Sequence, residues 1–210
     1  MFHQSMLSGE FAAGDEQPTG VSFVPAGAQV AGGVGDALVE VDEQEHDRRV
    51  GLGLQGAVTN LGLLHRLLNL PHGEWVRWKD LCSNDVQALQ TAPVGVVDLS
   101  SRGVRRTLVQ PARVPFVVVR TSSWRRGLRR ASAFEPFAQR VLLLEGEHRN
   151  LQQVTWEADL LGVGVWLRTS THIEQILAPA PWRQLYVKAA GWRFRERAYD
   201  RWLSATPPGA

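Results

Sequence analysis

The sequence predicts an α/β fold in which an antiparallel meander of three strands is followed by a helix, a strand, a second helix and two more strands, with helices flanking the mixed sheet. Apolar runs at residues 94–99, 104–110 and 116–120 are separated by short turn segments, which is the pattern of a meander. Apolar runs at residues 140–145 and 163–167 then alternate with segments of helical spacing. A chain of 210 residues that is 44% hydrophobic can supply one sizeable core.

The first 50 residues predict an irregular, acidic N-terminal arm. This segment is rich in glycine, alanine and valine without a sustained apolar period, and only residues 37–41 have the composition of a short strand. Its first 47 residues contain nine acidic residues and no lysine or arginine. We therefore expect a poorly ordered arm over residues 1–50 and a single α/β domain over residues 51–210.

Apolar spacing and capping residues predict the helices. Leu61, Leu64 and Leu68 share one face of a helix over residues 57–70. Three further helices are predicted after residues that can cap a helix N-terminus. They span residues 86–91 after Ser83 to Asp85, 124–134 after Ser122 and Ser123, and 151–161 after Asn150. Short strands are predicted at residues 75–78 and 172–177.

The C-terminal segment, residues 182–203, predicts a helix with two apolar faces, which Gly191 can interrupt. Phe194 lies on one face, while Trp192 and Tyr199 lie on the other. Such a helix is either buried on both sides or used to pair subunits in a homo-oligomer.

Composition indicates the compartment. The apolar runs are far shorter than the roughly 20 residues that span a bilayer, and the N-terminus has no secretory signal pattern. A single cysteine, Cys82, cannot form an internal disulfide. We therefore expect a cytoplasmic protein without a membrane segment.

Arginine is concentrated in the middle of the chain. Between Leu99 and Phe134 there are nine arginines and no acidic residue. Eight of them, all except Arg113, are predicted to contact nucleic acid together with Trp124, and Arg120 among them lies on the third meander strand. The nine arginines are Arg102, Arg105, Arg106, Arg113, Arg120, Arg125, Arg126, Arg129 and Arg130.

The last four of these arginines, at positions 125, 126, 129 and 130, share one face of the predicted helix. At about 100° per residue, their offsets of one, four and five residues place all four within a sector of about 140°. Like charges so placed repel each other unless an anion neutralises them. Phosphate backbone is a suitable anion, and Trp124 can stack on a base. The alternatives for this face are an ordinary solvated surface and pairing with the acidic arm.

The order of elements between about residues 93 and 177 resembles a known superfamily. Asp98 ends the first meander strand. It is followed by Phe-Val-Val-Val-Arg-Thr-Ser-Ser, a basic helix, Arg-Val-Leu-Leu-Leu, Trp-Glu-Ala-Asp-Leu and Leu-Gly-Val-Gly-Val-Trp. This succession resembles the restriction-endonuclease-like, or PD-(D/E)xK, nucleases. The resemblance implies their mixed sheet, with an aspartate and a carboxylate-x-lysine motif that hold a divalent metal.

The catalytic motif of that superfamily is broken in this chain. Asp98 matches the aspartate, but Val118 and Arg120 stand where the carboxylate and the lysine are expected. One aspartate facing a valine is a poor site for Mg²⁺, which prefers several oxygen ligands. Glu135, Glu157 and Asp159 are the candidates for a displaced carboxylate.

Three hypotheses follow. The first is a protein that binds DNA or RNA on a nuclease-like fold without cleaving it, with no cofactor. The second is a metal-dependent nuclease with a rearranged site, which requires Asp98 as a catalytic residue and Mg²⁺. The third is a protein-interaction module in which the acidic arm covers the basic face and the C-terminal helix pairs subunits.

Overall fold

The computed structural model describes residues 21–54, 56–146 and 149–206. Within these residues the strands are β1 Val21–Val30, β2 Gly33–Val41, β3 Trp75–Arg77, β4 Val97–Leu99, β5 Gly103–Arg106, β6 Ala112–Arg113, β7 Phe116–Thr121, β8 Gln139–Glu145, β9 Gly164–Arg168 and β10 Ile173–Leu177. The α-helices are α1 Glu43–Gly51, α2 Leu61–Leu68, α3 Ser83–Gln90, α4 Trp124–Ser132, α5 Leu151–Leu160 and α6 Ala189–Ala205.

The larger sheet is mixed and carries helices. Its strands follow the order β1-β2-β7-β8-β9-β10, and β6 pairs with the end of β2. The three central strands β7, β8 and β9 are parallel, while the outer pairs β1/β2, β2/β7 and β9/β10 are antiparallel. Helices α4 and α5 connect the parallel strands, as a parallel crossover requires. The predicted α/β class with a mixed sheet flanked by helices is confirmed.

The predicted three-stranded meander is wrong, because its members lie in two sheets. β4 and β5 pair with β3 in a small sheet of order β3-β5-β4, whereas β7 lies in the middle of the larger sheet. The burial of β7 explains the difference. Val117, Val118 and Val119 are all buried, so both faces of the strand are covered, which is typical of a central strand in a parallel sheet.

The prediction of a poorly ordered arm is wrong for residues 21–50, while residues 1–20 lie outside the described residues. β1 and β2 form a long antiparallel hairpin that extends the larger sheet, with Val21 opposite Glu40 and Val30 opposite Gly33. α6 packs against this hairpin and buries small side chains such as Ala28 and Ala37. Contact with α6, which is distant in the sequence, supplies the order that the local composition did not predict.

A buried ion network joins α1 to the C-terminal helix. Its members are Glu45, Arg48, Arg49 and Glu196. Arg49 is fully buried and donates both terminal nitrogens to the two carboxylate oxygens of Glu196, each at 2.8 Å, and its Nε to Glu45 at 2.8 Å. Glu196 also accepts from the Val58 backbone N–H at 2.9 Å. The acidic residue Glu45 of the predicted arm is therefore neutralised inside the protein.

α6 contributes to two hydrophobic cores, which together cover both of its apolar faces. Phe194 and Tyr199 pack in the main core, between the larger sheet and the helices α4, α5 and α6. Trp192 packs in a second core with α2, α3 and the small sheet. The helix begins at Ala189 rather than at residue 182 and continues through Gly191 without a break. Since both faces are covered by the same chain, the apolar pattern no longer indicates a subunit contact.

The other predicted helices and strands occur near their expected positions, with shifted ends. α2 is shorter than predicted, and α3 begins at Ser83 instead of being capped by it. No helix among the described residues has the length and the apolarity needed to cross a membrane.

Candidate nucleic-acid interface

Helix α4 is held close to the larger sheet by its small and apolar residues. Leu128 and Ala131 are buried in the main core. Gly127 is buried as well, and a side chain there would collide with Leu142 and Thr121 of the neighbouring strands. Because this face is packed against β7 and β8, the opposite face is presented to solvent.

The solvent face of α4 carries the four predicted arginines together. Arg125, Arg126, Arg129 and Arg130 are all exposed. Among residues 21–54, 56–146 and 149–206, no carboxylate lies within ion-pairing distance of any of them. The prediction of a shared, exposed arginine face is confirmed in its geometry. We call these four residues the α4 arginine face.

The charge of the α4 arginine face is unfavourable at the start of the helix, whereas Arg129 and Arg130 are favourably placed in its last turn. The first turn of α4 contains no acidic residue, and Arg125 and Arg126 lie in it. Cations near a helix N-terminus are repelled by the partial positive charge of the unpaired backbone N–H groups. Arg126 and Arg130, four residues apart, also repel each other. A bound anion would relieve both interactions, since helix N-termini favour anions.

The start of α4 differs from the prediction in how it is capped. Ser123 occupies the N-cap position, but its side chain makes no capping hydrogen bond. Instead, the Thr121 hydroxyl oxygen accepts from the Ser123 backbone N–H at 3.0 Å. Trp124 is half-buried against the main core, and the Arg125 guanidinium lies 4.6 Å from its ring centroid. Base stacking by Trp124 stays a prediction.

The remaining predicted arginines do not join the α4 arginine face. Arg102 is exposed in the turn between β4 and β5. Arg105 is paired with Asp98, and its guanidinium lies 5.1 Å from the ring centroid of Trp75. These residues lie in the small sheet or in its β4–β5 turn, whereas α4 packs on the larger sheet.

Arg120 and Arg106 are likewise engaged elsewhere. Arg120 lies on β7 and pairs with Asp36 of the neighbouring strand β2. Arg106 is half-buried at the end of β5, where it donates to the Leu67 carbonyl oxygen at 3.0 Å. The structure therefore brings together four of the eight arginines predicted to contact nucleic acid.

Asp98 does not lie where the nuclease resemblance requires it. It is on β4 of the small sheet, while Val118 and Arg120 are on β7 of the larger sheet. One carboxylate oxygen of Asp98 accepts two hydrogen bonds from Arg105, at 3.1 and 2.5 Å. In the described part of the chain, no group of three His, Cys, Asp or Glu side chains is arranged to hold a metal ion.

Sequence reasoning missed the charged residues inside α6. Arg195 and Glu196 are buried at 9% and 0% exposure. The sequence did contain an indication of this burial, because both residues lie in a predicted helix close to the apolar residues Trp192, Phe194 and Ala198. Charged residues that interrupt an apolar helix face are almost never fully buried unless they are paired.

Comparison of the chain with protein-family models, curated proteins and solved structures gives no significant match. Functional inference therefore depends on the geometry and the charge of this molecule.

Proposed function

We propose that the protein binds nucleic acid through the α4 arginine face. The observation that carries the proposal is the set of four exposed arginines on one helix face with no carboxylate partner among the described residues. Guanidinium groups bind phosphate oxygens bidentately, and each phosphate neutralised releases condensed counterions. DNA and RNA share this backbone chemistry, and both are proposed ligands.

Binding without cleavage is the mode that the site favours. The nuclease alternative depends on Asp98, and Arg105 occupies that carboxylate in the small sheet. An ion-paired aspartate is a weaker metal ligand, because the arginine competes with the cation for the same oxygen. The acidic residues Asp36 and Glu40 of the N-terminal segment pair with Arg120 and Arg113, not with α4.

A titration of labelled DNA and RNA at several salt concentrations tests the proposal. The double variant Arg126→Glu/Arg130→Glu removes two cations four residues apart on α4. It should weaken binding by roughly tenfold or more near 0.1 M salt. It should also lower the slope of log K against log salt by about two, since each lost phosphate contact contributes about 0.9.

The double variant Arg197→Glu/Arg201→Glu is the matched control. These two arginines have the same spacing on α6, are exposed, and change the net charge equally. Equal loss of binding in the two double variants would show that net charge, not the α4 arginine face, determines affinity and would refute the proposal. If the parent chain binds neither DNA nor RNA, the protein-interaction hypothesis takes its place. Mg²⁺-dependent cleavage that Asp98→Ala abolishes would establish the nuclease alternative.

A further inference from the structure

A large cleft lies at the junction of the two sheets. It has a volume of about 1120 Å³ and is bordered by the end of β2, the connection from β5 to β7, and the segment that leads into α6. No residue of α4 lines it. The arginines that do are Arg106, Arg113, Arg183 and Arg195. The cleft is therefore a second cationic region, separate from the α4 arginine face.

Arg195 is buried in this cleft without a carboxylate partner. Its side chain is 9% exposed, and its two terminal nitrogens donate to the amide oxygens of Gln110 and Gln184. Among the described residues no acidic group pairs with it. Burial, together with the charge of Arg113, lowers the pKa of Arg195. A buried guanidinium is normally paired with an anion, and neutral amides neutralise none of its charge.

Arg106 is a second cation in the cleft that is only partly satisfied. Its guanidinium lies 5.7 Å from the ring centroid of Trp192. One terminal nitrogen donates to the Leu67 carbonyl oxygen, but its Nε is buried and makes no hydrogen bond within the described structure. Burial lowers the pKa of Arg106 as well.

The acidic residues of the cleft do not offset these charges. Glu40 lies 3.9 Å from Arg113 on the rim. The Asp42 side chain accepts from the Glu45 backbone N–H at 3.0 Å and so caps α1. Since neither carboxylate contacts Arg106 or Arg195, the cleft keeps an uncompensated positive charge.

We propose that the cleft binds a phosphomonoester group, with Arg195 in its floor and Arg106 and Arg113 at its sides. A phosphomonoester carries up to two negative charges and three acceptor oxygens, which matches the several guanidinium groups that line the cleft better than a single carboxylate does. The apolar walls, which include Leu108 and the half-buried Trp182, leave room for the organic part of the ligand. The same group occurs on free small molecules and at the end of a nucleic-acid strand.

Thermal unfolding and calorimetric titration of the full chain test this site. The probes are inorganic phosphate, adenosine 5′-monophosphate, and one oligonucleotide with either a 5′-phosphate or a 5′-hydroxyl, while adenosine serves as the phosphate-free control. We expect a phosphate-bearing probe to raise the Tm, and Arg195→Gln to weaken its binding by roughly tenfold or more. Arg197→Gln, an exposed arginine two residues further along α6, should leave that binding unchanged.

The titration with the two oligonucleotides distinguishes a phosphate group on a small molecule from one at a strand end. Binding of adenosine 5′-monophosphate that requires Arg195 indicates a small-molecule site. A preference of at least severalfold for the 5′-phosphorylated oligonucleotide, lost in Arg195→Gln, indicates a strand end. Either result supports the proposal. If Arg195→Gln does not fold, the same loss of binding is expected for Arg113→Gln, which lies on the exposed rim of the cleft.

Failure of this site is distinguishable from failure of the α4 interface. Arg126→Glu/Arg130→Glu should bind adenosine 5′-monophosphate like the parent chain, because none of the cleft lining comes from α4. The proposal is overturned if neither inorganic phosphate nor adenosine 5′-monophosphate binds and the oligonucleotide binds equally with a 5′-phosphate and a 5′-hydroxyl. It is also overturned if the binding of adenosine 5′-monophosphate, or the preference for the 5′-phosphate, is the same in Arg195→Gln, Arg113→Gln and Arg197→Gln. Neither result would bear on nucleic-acid binding by α4.

Discussion

The α4 arginine face and the buried ion network contain the same side chain in opposite environments. The four arginines of α4 are exposed and have no carboxylate partner among the described residues. Arg49, in contrast, is fully buried and bonds to Glu45, to both oxygens of Glu196 and to the Val109 carbonyl oxygen. Burial alone would lower the pKa of Arg49, but Glu196 and Glu45 outweigh it and raise the pKa.

The comparison shows how an arginine's surroundings separate structural from ligand-binding roles. An exposed guanidinium keeps its hydration, so it needs no protein partner and is free to contact phosphate. Burying a guanidinium is costly unless opposite charge and hydrogen bonds replace the lost water. Arg195 is nearly as buried as Arg49, but within the described residues its terminal nitrogens donate to amide oxygens and to no carboxylate. It therefore combines the burial of Arg49 with the unpaired charge of the α4 arginines.

The largest expected effect is on the ion network. Glu196→Ala leaves Arg49 buried beside a single carboxylate and removes the acceptor of the Val58 N–H and the Trp192 indole. Breaking a buried pair by removing one partner destabilises a protein by about 3–5 kcal/mol. Urea unfolding should show a loss of this size, while Glu174→Ala, at an exposed residue of β10, should change stability by less than about 0.5 kcal/mol.

A loss below about 1 kcal/mol for Glu196→Ala would contradict the view that this network holds α1 against α6. The substitution Glu196→Gln keeps the shape and part of the hydrogen bonding, so its effect should lie between those of Glu196→Ala and the parent chain.

A smaller effect is expected when the network is titrated with acid. Burial alone would raise the pKa of the Glu45 carboxyl, but hydrogen bonds and charges from Arg48 and Arg49 outweigh it and hold the pKa below its usual value. Because the folded state then holds this proton less tightly than the unfolded state, the contribution of Glu45 is complete above the unfolded pKa. It is lost as pH falls through the folded pKa.

Unfolding free energies measured between about pH 6 and pH 3 should therefore fall less steeply in Glu45→Gln than in the parent chain. If the two proteins lose unfolding free energy equally as the pH falls, the protonation of Glu45 does not contribute to the pH dependence of stability. The effect is smaller than that of Glu196→Ala because protonation keeps a hydrogen-bonding carboxyl group in place.

The smallest effect on stability is expected on α4. Arg126→Gln should change the unfolding free energy by less than about 0.5 kcal/mol, because the residue is exposed and no carboxylate in the described part of the chain pairs with it. Its salt slope for nucleic-acid binding should nevertheless fall by about 0.9, the contribution of one phosphate contact. An unchanged slope would exclude Arg126 from the interface, and phosphate contact would then be left to the other three arginines of α4.

Local patterns predicted the elements around α4 well. The spacing of the four arginines and the apolar runs of β7, β8 and β9 depend on neighbours within a few residues, so the exposed face was predictable. The hairpin of β1 and β2 was not, because its small residues become buried only when α6 packs on it. Asp98 was misplaced for a related reason, since three similar apolar runs do not reveal which sheet each one joins.

By itself the sequence determined the α/β class, the excess of arginine and the face on which α4 presents it, since helical spacing depends on adjacent turns. Only the tertiary structure decided which charges are neutralised and which are not. Arg49 and Glu196 lie 147 residues apart, and Arg195 and Gln110 lie 85 apart. A charged side chain becomes buried when elements that are distant in the sequence pack around it. Local sequence patterns do not specify these long-range contacts.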